Sequence, residues 1–429
     1  MAVCASQPVG AGPLIPAGNV ALRADIQLLA DHGIIQGPVT TWPLAWRAIR
    51  SEIDNADVSA LPAGVRRALV RVRESAVPER TGGDIRYHAA LSAAEEPSRI
   101  RSFADTPREA GEIGAGASWS GTRVNVTLQG QLVNSPDDGN EYRYDGSFVE
   151  IALGNFSIAA STLDRWWGPG WDGSLVLSNN ARPIPALTID RNGTDAFQSP
   201  WLGWIGPWDL SVIFGQLETE RAVPDTRFFG LRFNFRPLKS LEIGLSRAAQ
   251  WCGEGRPCDF DAFADLLAGR DNLGDDGIAA GTEPGNQLAG IDVRWSLPDL
   301  PLPVAVYGQF IGEDEAGGLP SRFLAQFGLE AAGLWGNRWS WRWFGEVTDT
   351  TCGFYESNDN FNCAYNHGIY RDGYRYRGRS IGHGADNDAS LFSTGLLLID
   401  GEESRWDVLA RVGDLNRGGM PDARNTVTA

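Results

Sequence analysis

The sequence predicts an all-β membrane protein: a large antiparallel β-barrel of the outer-membrane type, carrying a small N-terminal α-helical bundle. Three observations predict it. From about residue 83 apolar residues recur with a period of two, so each segment has one apolar face and one charged face. The segments are about ten residues long, the length a tilted strand needs to cross a hydrocarbon layer. Their connections alternate short and long, as in barrels with short inner turns and long outer loops. A soluble sandwich also alternates, with its charges facing water. The number of strands and the lack of helices between them favour the barrel.

Residues 1–17 are rich in Pro, Gly and Ala and are expected to be flexible. Residues 18–80 read as a helical bundle. Val20, Ile26, Leu28 and Leu29 make one apolar face, and Gly33 offers a left-handed C-cap. Thr41 is expected to N-cap the next helix, with Pro43 in its first turn. Leu61-Pro62 opens a third. Three short helices make too small a core to stand alone, so they should dock on something. Residues 81–429 read as a transmembrane barrel with long extracellular loops. Its strands are expected near 83–93, 109–119, 122–133, 141–153, 156–162, 186–192, 208–218, 227–236, 240–250, 287–297, 303–312, 321–332, 338–349, 388–400 and 404–413. The phase is clearest in 227–236, where Phe229, Leu231, Phe233 and Phe235 oppose Arg232, Asn234 and Arg236. It is equally clear in 290–297, where Ile291, Val293, Trp295 and Leu297 oppose Asp292 and Arg294. These are fifteen strands, whereas closed bacterial barrels have an even number. The C-terminal RNTVTA also lacks a terminal aromatic strand. The expectation is a chain that stops before the barrel closes, or one miscounted strand.

A formal net charge of -17 argues against nucleic acid as a partner. Lys239 is the only lysine among 37 Lys and Arg residues. That suits planar contacts to acids, but codon bias produces the same count. No apolar run is long enough for a transmembrane helix. The N-terminal MAVCASQPVGAG lacks the basic and apolar regions of a signal peptide, so export is not read there. The cysteines favour export: Cys252 with Cys258, and Cys352 with Cys363, are close pairs in polar loop sequence and read as two local disulfides. Metal ligation is the rival reading, with His367 the only histidine near a pair. Cys4 is left over, either lipidated or free; Val3 before it is a poor match to a lipoprotein cleavage site.

Residues 161–191, STLDRWWGPGWDGSLVLSNNARPIPALTIDR, carry the strongest candidate site. Trp166, Trp167 and Trp171 offer indole faces that cover the apolar face of a sugar ring. Asp164, Asp172, Asn179 and Asn180 suit hydroxyls, and Arg165, Arg182 and Arg191 suit acidic substituents. The competing reading is a rigid loop that only packs, since Trp, Pro and Gly build such loops too.

The same residues resemble the Wzi-type capsule assembly proteins of the bacterial outer membrane. The resemblance rests on LDRWWGPGWDGSLVLSNNARPIPAL (163–187), EPGNQLAGIDVRW (283–295), YGQFIGEDEAGGLPS (307–321) and GIIQGPVTTWPL (33–44), and runs from about residue 18 to the end. It implies a barrel of about eighteen strands with loops obstructing the lumen and with residues 18–80 as a periplasmic helical bundle, so that three strands would be missing here. It also implies binding and organisation of capsular or other surface polysaccharide without catalysis, in the company of outer-membrane lipid and other capsule export proteins. The chain departs from the family pattern at its C-terminus, which puts barrel closure in doubt.

Other constellations are weaker. Glu313, Asp314 and Glu315, and the loop acids Asp271, Asp275 and Asp276, suit calcium, but acid clusters are more often solvated turns. Asp164 with Asp172, or Glu150, supplies carboxylates of the kind glycosidases pair, yet acids among arginines are ordinary in a barrel lumen. No cofactor motif is present. Residues 260–269 read as a short helix folded over the barrel mouth. The alternative function is a diffusion channel, with Arg232, Arg294, Arg342 and Arg411 lining an anion-favouring lumen.

Overall fold

The computed structural model describes residues 3–4, 14–59, 61–76, 83–267, 285–297, 300–316, 319–336, 338–354, 359–400 and 404–419. Fifteen strands of six residues or more are found among them: β1 (Ile85–Ala93), β2 (Gly111–Ser120), β3 (Val124–Asn134), β4 (Phe148–Leu153), β5 (Phe156–Ser161), β6 (Ala186–Arg191), β7 (Trp208–Gln216), β8 (Arg227–Leu238), β9 (Leu241–Trp251), β10 (Gly285–Ser296), β11 (Val304–Ala316), β12 (Leu319–Trp335), β13 (Trp339–Asp349), β14 (Ser390–Asp400) and β15 (Arg405–Asp414). Each pairs antiparallel with the next in chain order, from β1 on β2 to β14 on β15. Val3–Cys4 registers on Ser92 and Ala93 of β1, and Tyr142–Arg143 on Gln131 and Leu132 of β3. The segment expected as one strand over 141–153 is thus broken before β4. Residues 420–429 lie outside the described set.

The two faces are those of an inside-out protein. On β10, Ile291 and Trp295 are exposed while Asp292, Arg294 and Ser296 are buried. On β8, Arg232, Asn234 and Arg236 are buried, and on β12 Gln326 and Glu330 are buried against exposed Phe327 and Leu329. A sandwich would put the charges in water; here they face an enclosed interior and the apolar residues face out. Exposed tryptophans (Trp119, Trp295, Trp335 and Trp406) stand at the short-turn ends of β2, β10, β12 and β15. Trp201 and Trp204, on a turn at the same end, are exposed too. Their amphipathic rings suit a membrane–water boundary.

Helix α1 (Val20–Asp31) starts at Asn19, whose side chain accepts from the Leu22 amide at 3.0 Å, and it ends at Gly33 with φ +69°. It is buried on nearly all sides, as a helix inside a larger core must be. Helix α2 (Trp46–Asn55) and helix α3 (Ala63–Ser75) flank it, with Arg71 of α3 paired to Asp25 of α1 at 2.6 Å. The expected Thr41 cap is absent. Helix α2 begins at Trp46 without a side-chain cap, because Thr41–Trp42 is extended and paired elsewhere. The bundle does dock: inward residues of the wall take its backbone. Arg236 donates to the carbonyls of Ala30 (3.1 Å), Ile35 (3.0 Å) and Gly37 (3.2 Å), and Glu242 accepts from the amides of Val39 and Thr40 at 2.9 Å. Leu14–Ile15, expected to be loose, is buried and paired with Leu44–Ala45.

Cys252–Cys258 and Cys352–Cys363 are disulfides, with Cα separations of 4.7 and 6.1 Å, both at the long-connection end of the wall. The helix expected over the mouth, α4 (Phe260–Leu267), packs on the outside instead. Its Phe263 meets the outward rings of Phe229 (5.3 Å) and Trp251 (4.8 Å), because its apolar face finds apolar partners only on that side.

Candidate functional site

The Trp-rich segment leaves the wall after β5, enters the lumen and returns at β6. Its neck is tied by Arg165, which donates to the carbonyls of Leu163 (3.2 Å) and Ile184 (3.1 Å) and to Ser161 Oγ (2.8 Å). Burial lowers the Arg165 guanidinium to about 10. Trp166 and Trp167 then pair with Trp42 and Thr41 in a short ladder, which is why Thr41 was not free to cap α2. Gly168 takes φ +138°, and a Cβ on Gly170 would strike the Gly173 carbonyl, so the Gly-Pro-Gly turn admits no side chain at either end.

Beyond the turn the segment is gripped by the wall. Arg23 of α1 lies between the rings of Phe103 (4.3 Å) and Trp171 (4.2 Å) and donates to the Pro169 carbonyl at 2.8 Å. Trp171 Nε1 donates to Glu330 at 2.6 Å. Glu346 accepts from the backbone amides of Trp171 and Asp172, from Tyr307 Oη (2.7 Å) and from the Gln326 amide (2.6 Å). Asp172 is fully buried and pairs with Arg411 at 2.6 Å. Asn179 Nδ2 donates to the Phe103 carbonyl at 3.1 Å, and Asn180 Nδ2 to the Ser380 carbonyl at 3.2 Å.

The ten residues expected to touch a sugar therefore lie in different settings. Trp166, Trp167, Trp171, Asp172, Asn179, Asn180 and Arg165 are buried inside the lumen, and Trp166 and Trp167 have 0% exposure. No face of those two indoles is open for stacking in this conformation. Asp164 and Arg182 stay partly open, at 21% and 12% side-chain exposure. Asp164 pairs with Arg108 at 2.5 Å. Arg182 bridges Asp138 (2.6 Å) and Asp145 (2.8 Å), and these pairings outweigh burial and raise its guanidinium further. Burial opposes the charge on Asp138, but hydrogen bonds from Arg182 and the Asn140 amide, with the charge of Arg143, hold its carboxyl down to about 2. Arg191 is not with the others. It lies at the far end of β6, 3.7 Å from the centre of the Trp208 ring, because the strand carries it away from the segment.

Sequence reasoning missed the residues that hold the segment: Arg23, Glu330 and Glu346. The period of two marks Glu330 and Glu346 as inward, but nothing local names their partners 159 and 175 residues away. The four arginines offered as a channel lining are also spoken for. Arg232 pairs with Asp292 (2.6 Å), Arg294 with Asp31 (2.5 Å), Arg342 with Glu330 (2.8 Å) and Arg411 with Asp172. Among the described residues no cluster of acids, histidines or cysteines has metal-site geometry. The side chains of Asp314 and Glu315 and the loop acids Asp271, Asp275 and Asp276 lie outside the described set.

Residues 82–398 match the family model described as capsule assembly protein Wzi. The chain is 35% identical over 332 residues to an uncharacterized 55.8 kDa protein in the cps region of Klebsiella pneumoniae. That match covers 77% of this chain and 64% of the Klebsiella protein, so the chain spans less than two thirds of that relative's length. In structure it is similar to Wzi of Escherichia coli, an outer-membrane protein involved in group 1 capsule assembly and described as a carbohydrate-binding β-barrel. The TM-score is 0.82 at 30% identity, covering 95% of this chain and 86% of that one. This chain, a β-barrel of the bacterial outer membrane, belongs to the Wzi capsule assembly protein family.

Proposed function

We propose that the chain binds and organises capsular or other surface polysaccharide at the outer mouth of the barrel, without catalysis. The observation that carries this reading is the filled lumen. Segment 162–185 and α1 occupy the interior and are held by ion pairs and backbone hydrogen bonds, which gives a fixed floor rather than a conduit. On that floor Asp164 and Arg182 are the accessible edge of the Trp-rich segment, while the indoles beneath set its shape. Weak hydrogen-bond contacts repeated along a polymer retain a long chain although each is modest. Outer-membrane lipid and other capsule export proteins are the partners this role calls for.

The test is calorimetric titration of the detergent-folded protein with polysaccharide from the surface of its source bacterium. Wild type should bind. Arg182→Ala and Asp164→Asn, checked for intact folding, should bind about tenfold more weakly, the equivalent of about 1.4 kcal/mol. Absence of binding by wild type would sink the reading, and new reducing ends during the incubation would sink its non-catalytic half.

A further inference from the structure

Strands β4, β5 and β6 have six residues each, whereas β3 on one side of them has eleven and β7 on the other has nine. At about 3.3 Å per residue, six residues span roughly 20 Å even without tilt, against a hydrocarbon layer of about 30 Å. The wall is therefore cut low at this place. The β3–β4 register begins at Thr127 with Phe148, so the upper part of β3, from Leu128 on, rises beyond the end of β4.

The notch is a groove of about 660 Å³ on the outer surface, at the long-connection end. Its floor is apolar and faces out: Leu128, Val149, Ala160, Leu187 and Phe214. One flank continues into α4, whose Phe263 lies 6.3 Å from the Phe214 ring. Ser161, Thr162 and Pro185, the two ends of the neck through which the Trp-rich segment leaves and re-enters the wall, line its inner edge. At the rim stands Arg227, exposed, 5.5 Å from the Trp251 ring centre and without a hydrogen-bond or ion-pair partner among the described residues.

We infer that this notch is a binding site for one class of outer-leaflet lipid: a phosphorylated, multiply acylated amphiphile of the lipid A type. The groove is continuous with the lipid-facing wall, so its occupant comes from the membrane. Its volume and apolar floor accept acyl chain, which a row of wall side chains elsewhere would only touch from one side. It lies at the outer-leaflet level, where the strands meet the long loops. The unpaired guanidinium at the rim supplies the bidentate donor that a phosphate oxygen pair takes. Because the occupied groove abuts both ends of the neck, the lipid also braces the exit of the luminal segment.

The experiment is native mass spectrometry of the full detergent-purified chain with added lipid A and, separately, lipid A stripped of phosphate. Wild type should retain a saturable lipid A adduct and hold the stripped form about tenfold less. Ala160→Trp, which fills the exposed groove floor without removing a contact, should lose both adducts, and Val149→Trp serves the same end if that variant fails to fold. Arg227→Gln should keep binding but no longer distinguish the two lipids. Leu396→Trp, on the outward face of β14, should behave as wild type. Equal adducts in wild type and both groove-filling variants would overturn the site and leave only a bulk lipid annulus. Retained phosphate preference in Arg227→Gln would overturn the headgroup contact.

Discussion

His383 illustrates how tightly the luminal segment is boxed. Its ring is fully buried, its Nδ1 accepts from the Ala385 amide at 3.1 Å, and a Cβ added to Gly173 would strike its edge. Burial lowers its pKa to about 4 from an ordinary value near 6.5. The folded state therefore binds fewer protons than the unfolded chain between those values, and stability must fall as pH drops through that window. The full loss is about 3 kcal/mol. Unfolding midpoints measured from pH 7 to pH 4 should show this slope in wild type and a flatter one in His383→Asn; identical slopes would remove His383 from the account. Much at this scale was readable in advance. Inward phase identified Arg232, Arg294, Arg342 and Arg411 as luminal. It could not name their partners, because the pairs Arg232–Asp292 and Arg411–Asp172 span 60 and 239 residues and exist only once the sheet has curved.

The ladder that sets Trp166 on Trp42 and Trp167 on Thr41 joins two elements that sequence pattern kept apart. Thr41 before an apolar run has the form of a helix cap, and the cap lost because its hydroxyl accepts instead from Arg232 (2.8 Å) and the Asn234 amide (3.1 Å). Helix α4 was foreseen in place but not in position, since an amphipathic helix carries no mark of which apolar surface it will meet. Most strands were legible to within a few residues because one face is apolar throughout; the exception is the strand expected over 141–153, which is broken before Phe148. The segment 162–185 was not, because neither period runs through it. Its burial changes what a mutation there should do. Trp167→Ala removes a fully buried indole from a packed cluster and should cost about 3–5 kcal/mol of stability. Heat-shifted gel mobility should report that loss, while polysaccharide affinity of the molecules that remain folded should change little. A large affinity loss at unchanged stability would instead return the indole to the binding surface.

Taken whole, the molecule is a wall with a polar inner face, and that face is spent on the chain's own interior. The channel reading foresaw the charges but not their neutralisation, by the wall acids Asp292 and Glu330, by Asp31 of α1 and by Asp172 of the Trp-rich segment. In planar bilayers the wild-type protein should therefore pass no steady current; steady current in wild type would revive the porin reading. The position of that segment in the chain has a further consequence. It lies between β5 and β6, ahead of the nine strands β7 to β15, and it is bonded to Glu330, Glu346 and Arg411 on three of the later ones. The segment's final contacts and the completion of the later wall are therefore interdependent: neither is whole without the other.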